Sequence, residues 1–168
     1  KYGYSNTVII PNFIEEQNYK PQLRAGLKEP KLLWVRNFSE TYNPQMAIRV
    51  LAALRKEYVG ASLLMIGGCN GGDECLLRTK ALAESLGVSG FVEYTGKLTK
   101  EEWISRSEGC NVFINTTNFD NTPVSVIEAM ALGFPIISTN VGGIPYANDA
   151  NGFCRNAKSD GLDCYVAK

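Results

Sequence analysis

The chain contains no histidine. Imidazole is therefore missing as a general base, and a zinc site loses its commonest nitrogen donor. Excess charge of either sign is missing too: 17 basic and 17 acidic residues cancel at pH 7, so no general field draws the chain to nucleic acid or anionic lipid. The five cysteines, Cys69, Cys75, Cys110, Cys154 and Cys164, include no C-x-x-C pair and are odd in number, which argues against a disulfide framework and a structural metal. No apolar run approaches the roughly 18 residues of a membrane span, and the opening KYGYSNTVII does not read as a signal peptide. The expected setting is a reducing cytoplasm, and any bound anion must be held by local features. Two N-x-[ST] matches, at Asn37 and Asn115, fall in or beside expected strands and are read as chance.

What is present suits one α/β domain: 168 residues, 45% of them hydrophobic, enough to bury a core without staples. From Leu32 onward, short apolar runs alternate with segments of helical period, the pattern of a parallel sheet with crossover helices. The runs are LLWV (32–35), SLLMIGG (62–68), FVEYTG (91–96), NVFINTT (111–117) and PIISTNV (135–141). The helical segments are 43–58, 73–87, 100–109 and 122–133, with start and stop signals such as Pro44, Thr99, Gly87, Gly109 and Gly133. The expected fold is Rossmann-like: a parallel sheet of five to six strands with helices on both faces, and ligands at the carboxyl ends of the strands. Residues 1–30 hold one strand-like run, TVIIPNF, and a polar connecting arm; residues 31–168 form the domain. NGFCRNA (151–157) is read as a possible last strand and DGLDCYVAK (160–168) as the start of an unfinished helix, so a piece of a larger protein is expected.

The chemistry concentrates in DNTPVSVIEAMALGFPIISTNVGG, Asp120 to Gly143. Thr122 is placed to cap a helix that begins at Pro123, leaving the amides of Val124 and Ser125 facing outward. Together with the positive end of the helix dipole they form a phosphate site that needs no basic side chain. Glu128 lies one turn further on the same face, beside the expected anion, where it would accept hydrogen bonds from neutral groups such as vicinal ribose hydroxyls. Asp120, in the loop before the helix, is suited to hydroxyls of a sugar on the far phosphate. The plainer alternatives are a Glu128 ion pair with a neighbouring lysine or arginine, and Asp120 as a turn residue. Gly142 and Gly143 follow the PIISTNV run and permit either close ligand approach or simply a tight turn. GGCNGG (67–72) lacks the G-K-[ST] of a P-loop and precedes Asp73 and Glu74, so it is read as a flexible turn. Arg36, after the run LLWV, is either a bidentate ligand for a diphosphate or an exposed strand end.

The stretch DNTPVSVIEAMALGFPIISTNVGGIP resembles the signature of the group-one (glycogen-synthase-like) family of retaining glycosyltransferases with the two-domain GT-B architecture. Pattern-level similarity extends from about Val8 to Phe153. The resemblance implies the C-terminal, nucleotide-sugar-binding half of a GT-B fold, taking a UDP-, GDP- or ADP-sugar with no metal and no further cofactor. By position, Glu128 would hold the ribose, Asp120 the donor sugar, Thr122, Pro123, Val124 and Ser125 the diphosphate, and Arg36 the leaving phosphate. Gly96, Lys97 and Leu98 would approach the base, and Gly142 and Gly143 the ligand. Asp120 stands where the family motif opens with glutamate, and Thr41 and Tyr42 stand where it has a lysine. The implied activity is retaining transfer to a saccharide or lipid-linked acceptor held by an N-terminal domain upstream of Lys1, with the isolated chain binding donor but transferring little. Polysaccharide biosynthesis, in the cytoplasm or at the inner face of a membrane, is the role expected by analogy. An inactive nucleotide-sugar-binding module and a GT-B nucleotide-sugar epimerase remain the alternatives, with a flavodoxin-like interaction domain last.

Overall fold

Along the first strand, alternate side chains go to opposite faces, and here both faces are apolar: Leu32 and Trp34 enter one buried cluster, Leu33 another. A strand buried on both sides belongs in the middle of a sheet covered by helices. The computed structural model, which describes residues 12–24, 28–144, 157–159 and 162–165, has that arrangement. In chain order the elements are β1 (Lys31–Val35), α1 (Pro44–Leu54), β2 (Ser62–Ile66), α2 (Glu74–Ser85), β3 (Val92–Gly96), α3 (Lys100–Ser107), β4 (Val112–Asn115), α4 (Val124–Ala131), β5 (Ile136–Thr139), β6 (Ala157–Ser159) and β7 (Leu162–Tyr165). The sheet order is β3-β2-β1-β4-β5-β7-β6, with the first five strands parallel.

One core layer joins Trp34, Leu32 and Met65 to Ile48 and Leu51 of α1 and Cys75 and Ala83 of α2. The other joins Leu33, Ile66 and Phe113 to Trp103 of α3 and Val126 and Ala129 of α4. Local signals fix the starts of α1 and α3. Asn43, in the left-handed region at φ 46, accepts from the Met46 amide ahead of Pro44, and Thr99 and Glu102 form a reciprocal capping box on α3.

The expected polar connecting arm is packed rather than extended away. Tyr19 is buried in the α3/α4 layer, the Gln22 amide donates to the Leu132 carbonyl, and Arg24 donates to the carbonyls of Ser107, Cys110 and Leu132 while lying over the Phe134 ring. TVIIPNF, apart from Asn12 and Phe13, lies outside the described residues, as does NGFCRNA apart from Ala157. The unfinished helix expected at DGLDCYVAK is corrected: Leu162–Tyr165 is a strand, antiparallel to β5 with Ile136 opposite Tyr165. Without it, the outer edge of β5 would present unpaired backbone amides and carbonyls, a stronger demand than the weak helical pattern of a short segment.

Candidate functional site

The strand order reverses between β1 and β4, and the crevice at such a reversal is where open α/β sheets place ligands. Two loops meet there, residues 36–43 after β1 and 116–123 after β4. Hydrogen bonds from the buried Thr116 and Thr117 and from Asn118 tie them together. The Thr116 hydroxyl accepts from the Trp34 indole at 3.0 Å and donates to the carbonyls of Tyr42 and Asn43; Thr117 donates to Thr41; the Asn118 amide donates to the Thr41 carbonyl at 2.7 Å. Asn115 itself is buried, which rules out that N-x-[ST] match as a glycosylation acceptor in the folded chain.

Arg36 leaves the end of β1 and is turned inward, so the exposed strand end considered from sequence is not what forms. Its side chain is 13% exposed, and Nη2 lies 2.9 Å from Oδ2 of Asp120, itself 17% exposed. The contact is ionic without hydrogen-bond alignment, and Nε and Nη2 are buried with no hydrogen-bond acceptor. Burial pushes the guanidinium below its usual range, and Asp120 opposes that shift. The Tyr42 ring lies 5.0 Å below the guanidinium. Arg36 also walls a cleft of about 220 Å³ with Asn37, Tyr42, Gly67, Gly68, Lys97 and Leu98. Two of the three residues expected near a base, Lys97 and Leu98, therefore share a cleft with Arg36, whereas Asp120, Glu128 and the first turn of α4 do not line it. GGCNGG proves to be part of the floor: a side chain on Gly67 would sit 1.7 Å from the Arg36 carbonyl oxygen.

The expected cap on α4 is displaced by one residue. Pro123, at φ −68 and ψ 109, is the N-cap, no side chain caps the helix, and its carbonyl accepts from Val126 and Ile127. Thr122 stands one residue ahead of the N-cap, and its carbonyl accepts from the Asn12 side-chain amide at 2.9 Å. The Val124 and Ser125 amides still have no backbone acceptor among the described residues, and the Ser125 hydroxyl, in a residue only 9% exposed, is buried without a partner. Gly142 and Gly143 make their close approach to the protein itself. Gly142 has φ 59, an added Cβ would lie 1.9 Å from the Asp120 carbonyl oxygen, and the Gly143 amide donates to that oxygen at 2.9 Å. The glycine pair thus sets the height of the Asp120 loop.

Glu128 is 6% exposed, and the plainer reading of it holds in part. Its Oε1 accepts from the Tyr19 hydroxyl at 2.6 Å and lies 2.9 Å from the Lys100 ammonium, not from neutral groups alone. Burial, then the bond to Glu128, raises the Tyr19 phenol; the Lys100 ammonium is raised by its hydrogen bonds to Tyr19 and Glu128. Neither partner was singled out from sequence. Tyr19 is 109 residues away. Lys100 did carry a weak signal: a cation in the first turn of α3 sits against the helix dipole, although Glu101 and Glu102 flank it there. Among the described residues, no three His, Cys, Asp or Glu side chains are grouped to hold a metal ion.

Residues 15–160 match the sequence pattern of the family described as Glycosyl transferases group 1. The chain belongs to the group 1 glycosyltransferases. It is similar to the human GDP-Man:Man(3)GlcNAc(2)-PP-Dol alpha-1,2-mannosyltransferase, 28% identical over 95% of this chain and 36% of that protein. It is also similar to the D-inositol 3-phosphate glycosyltransferase of Corynebacterium jeikeium, 29% identical over 63% of this chain and 26% of that one. The chain thus spans about a third or less of these relatives' length. Among solved structures, this group 1 domain superposes on sucrose-phosphate synthase from Thermosynechococcus elongatus (TM-score 0.68, 22% identity, 79% of this chain and 35% of that one). It also superposes on the C-terminal domain of a group 1 glycosyltransferase from Francisella tularensis (TM-score 0.66, 16% identity, 79% and 73%). The fold is the Rossmann-like C-terminal domain of the GT-B type.

Proposed function

We propose that this group 1 domain is the donor half of a retaining glycosyltransferase, binding a nucleoside-diphosphate sugar in the crevice between β1 and β4. The observation that carries the reading is the Arg36 guanidinium. It is buried at the strand-order reversal, with Nε and Nη2 lacking hydrogen-bond acceptors, and a group so placed is costly unless something else completes it. A diphosphate supplies that charge and those acceptors. Its oxygens would also reach the free Val124 and Ser125 amides and the unpartnered Ser125 hydroxyl at the positive end of α4. As the bond to the sugar breaks, negative charge grows on the departing phosphate, and donors already fixed in place stabilise it without reorganising.

In this reading Asp120 and Arg36 share the work. Asp120 holds the guanidinium in the empty site and accepts from donor-sugar hydroxyls in the filled one, Glu128 accepts from the ribose, and Lys97 and Leu98 border the base. No metal is assigned a role. The acceptor, saccharide or lipid-linked, would be held by a domain upstream of this chain, so the chain alone binds donor with little transfer. Because the human relative is named for a GDP-Man donor, GDP is the first nucleotide to test. Calorimetric titration with GDP, UDP and ADP in the absence of divalent metal should show one of them binding, and Arg36→Met should weaken it by about ten- to a hundredfold, the scale of a charged hydrogen-bonding group. Failure of all three at millimolar concentration, or an Arg36→Met variant that binds equally well, would sink the assignment.

A further inference from the structure

The two oxygens of Glu128 are not equivalent. Oε1 receives both the Tyr19 hydroxyl and the Lys100 ammonium, while the described residues place no donor on Oε2. A carboxylate with one oxygen clamped from two directions has lost its torsional freedom, and the other oxygen points where the clamp dictates. The clamp comes from outside α4: Tyr19 from the segment preceding β1, and Lys100 from the first turn of α3, its ammonium 5.6 Å from the Tyr19 ring. The same preceding segment touches the helix at three levels, through Asn12 on the Thr122 carbonyl, Tyr19 on Glu128 and Gln22 on the Leu132 carbonyl. It runs beside α4 as a splint. Tyr19 is buried, yet its hydroxyl serves no carbonyl and reaches the one carboxylate of the helix.

We propose that Tyr19 and Lys100 are positioning residues that hold Oε1 of Glu128 so that Oε2 accepts from the ribose hydroxyls of the bound nucleotide. Selection of ribose over a sugar lacking those hydroxyls is then set jointly by three elements of the chain. The inference rests on the donor-site reading above, and its test separates the two.

The chain is titrated with GDP and with 2′,3′-dideoxy-GDP, or with the UDP or ADP pair if that nucleotide is the one bound. Wild type should favour the ribonucleotide by about ten- to a hundredfold, the range of a hydrogen bond to a charged group. Tyr19→Phe keeps the buried ring and should cut the preference to about threefold or less, by weakening GDP while leaving the dideoxy compound unchanged. Lys100→Met, at a half-exposed position that tolerates change, should do the same, and Lys100→Arg should restore the preference. Glu128→Gln gives the reference ratio for a lost acceptor. A purely structural role for Tyr19 and Lys100 would lower the unfolding midpoint and weaken both ligands in parallel. That result, or an unchanged preference in both variants, overturns the proposal. Binding of GDP with no preference in wild type overturns it while leaving the donor site intact. Absence of any nucleotide binding removes the donor site and this inference together.

Discussion

Replacing Asp120 with asparagine removes one charge and little volume. It leaves Arg36, 13% exposed with two nitrogens already lacking acceptors, without its counter-ion. Breaking a buried ion pair from one side costs about 3–5 kcal/mol. Here the pair retains a small opening to solvent and the asparagine carbonyl can still accept, so about 2–3 kcal/mol is expected. At about 2–4 °C per kcal/mol for a chain of this length, the unfolding midpoint should fall by about 4–12 °C. The paired change Arg36→Met with Asp120→Asn removes both charges and should recover most of the loss, giving a coupling of about 2 kcal/mol in urea unfolding. In the donor-site reading, GDP carries no sugar for Asp120 to hold, and its diphosphate would stand in for the missing carboxylate. At saturating GDP the Asp120→Asn variant should therefore gain at least as much stability as wild type, about 2.7 kcal/mol when the ligand is at a hundred times its Kd. Additive single-variant effects, or a loss below about 0.5 kcal/mol, would show that Arg36 is solvated like a surface group and that the argument from its burial is wrong.

Gly142→Ala should destabilise the chain by at least about 1–2 kcal/mol, the cost of a side chain in the left-handed region, because φ is 59 and the new Cβ would strike the Asp120 carbonyl oxygen; an unchanged urea midpoint would refute that account. Burial holds the Cys110 thiol up from 9.0 to about 11. The unfolded thiol ionises first, so the stability it contributes is complete below pH 9 and is lost as pH rises toward 11. Cys110→Ala should flatten the fall in stability between pH 9 and 10, a window below the ordinary range of lysine and tyrosine, and a wild-type slope in the variant would assign that fall to other groups.

The five parallel strands fell on the apolar runs expected from sequence, and the central one shows why: a strand buried on both faces must be apolar along its middle, and Leu32, Leu33 and Trp34 meet that demand directly. Helix starts were legible where the cap is local, as at Asn43 and Thr99. At α4 no side chain caps the helix, so the Thr122-Pro123 signal placed its start one residue early. Distance along the chain hid the partners of Glu128. Its isolation among apolar neighbours marked it as unusual, but only the packing of the preceding segment brings Tyr19 to it. Arg36 and Asp120 were each visible as candidates; their pairing depends on β1 and β4 lying side by side, a fact of strand order rather than of either motif.

The threonine and asparagine bonds that join the 36–43 and 116–123 loops bear on the thermodynamics of occupancy. Loops that must be ordered by a ligand charge that entropy against affinity. Here Thr116, Thr117 and Asn118 spend their hydrogen bonds on backbone carbonyls of the opposing loop before any ligand arrives. The ordering cost falls on folding, and in the donor-site reading a diphosphate reaching Arg36 would meet a surface with little freedom left to lose, so its binding should be led by enthalpy, with a small entropic penalty.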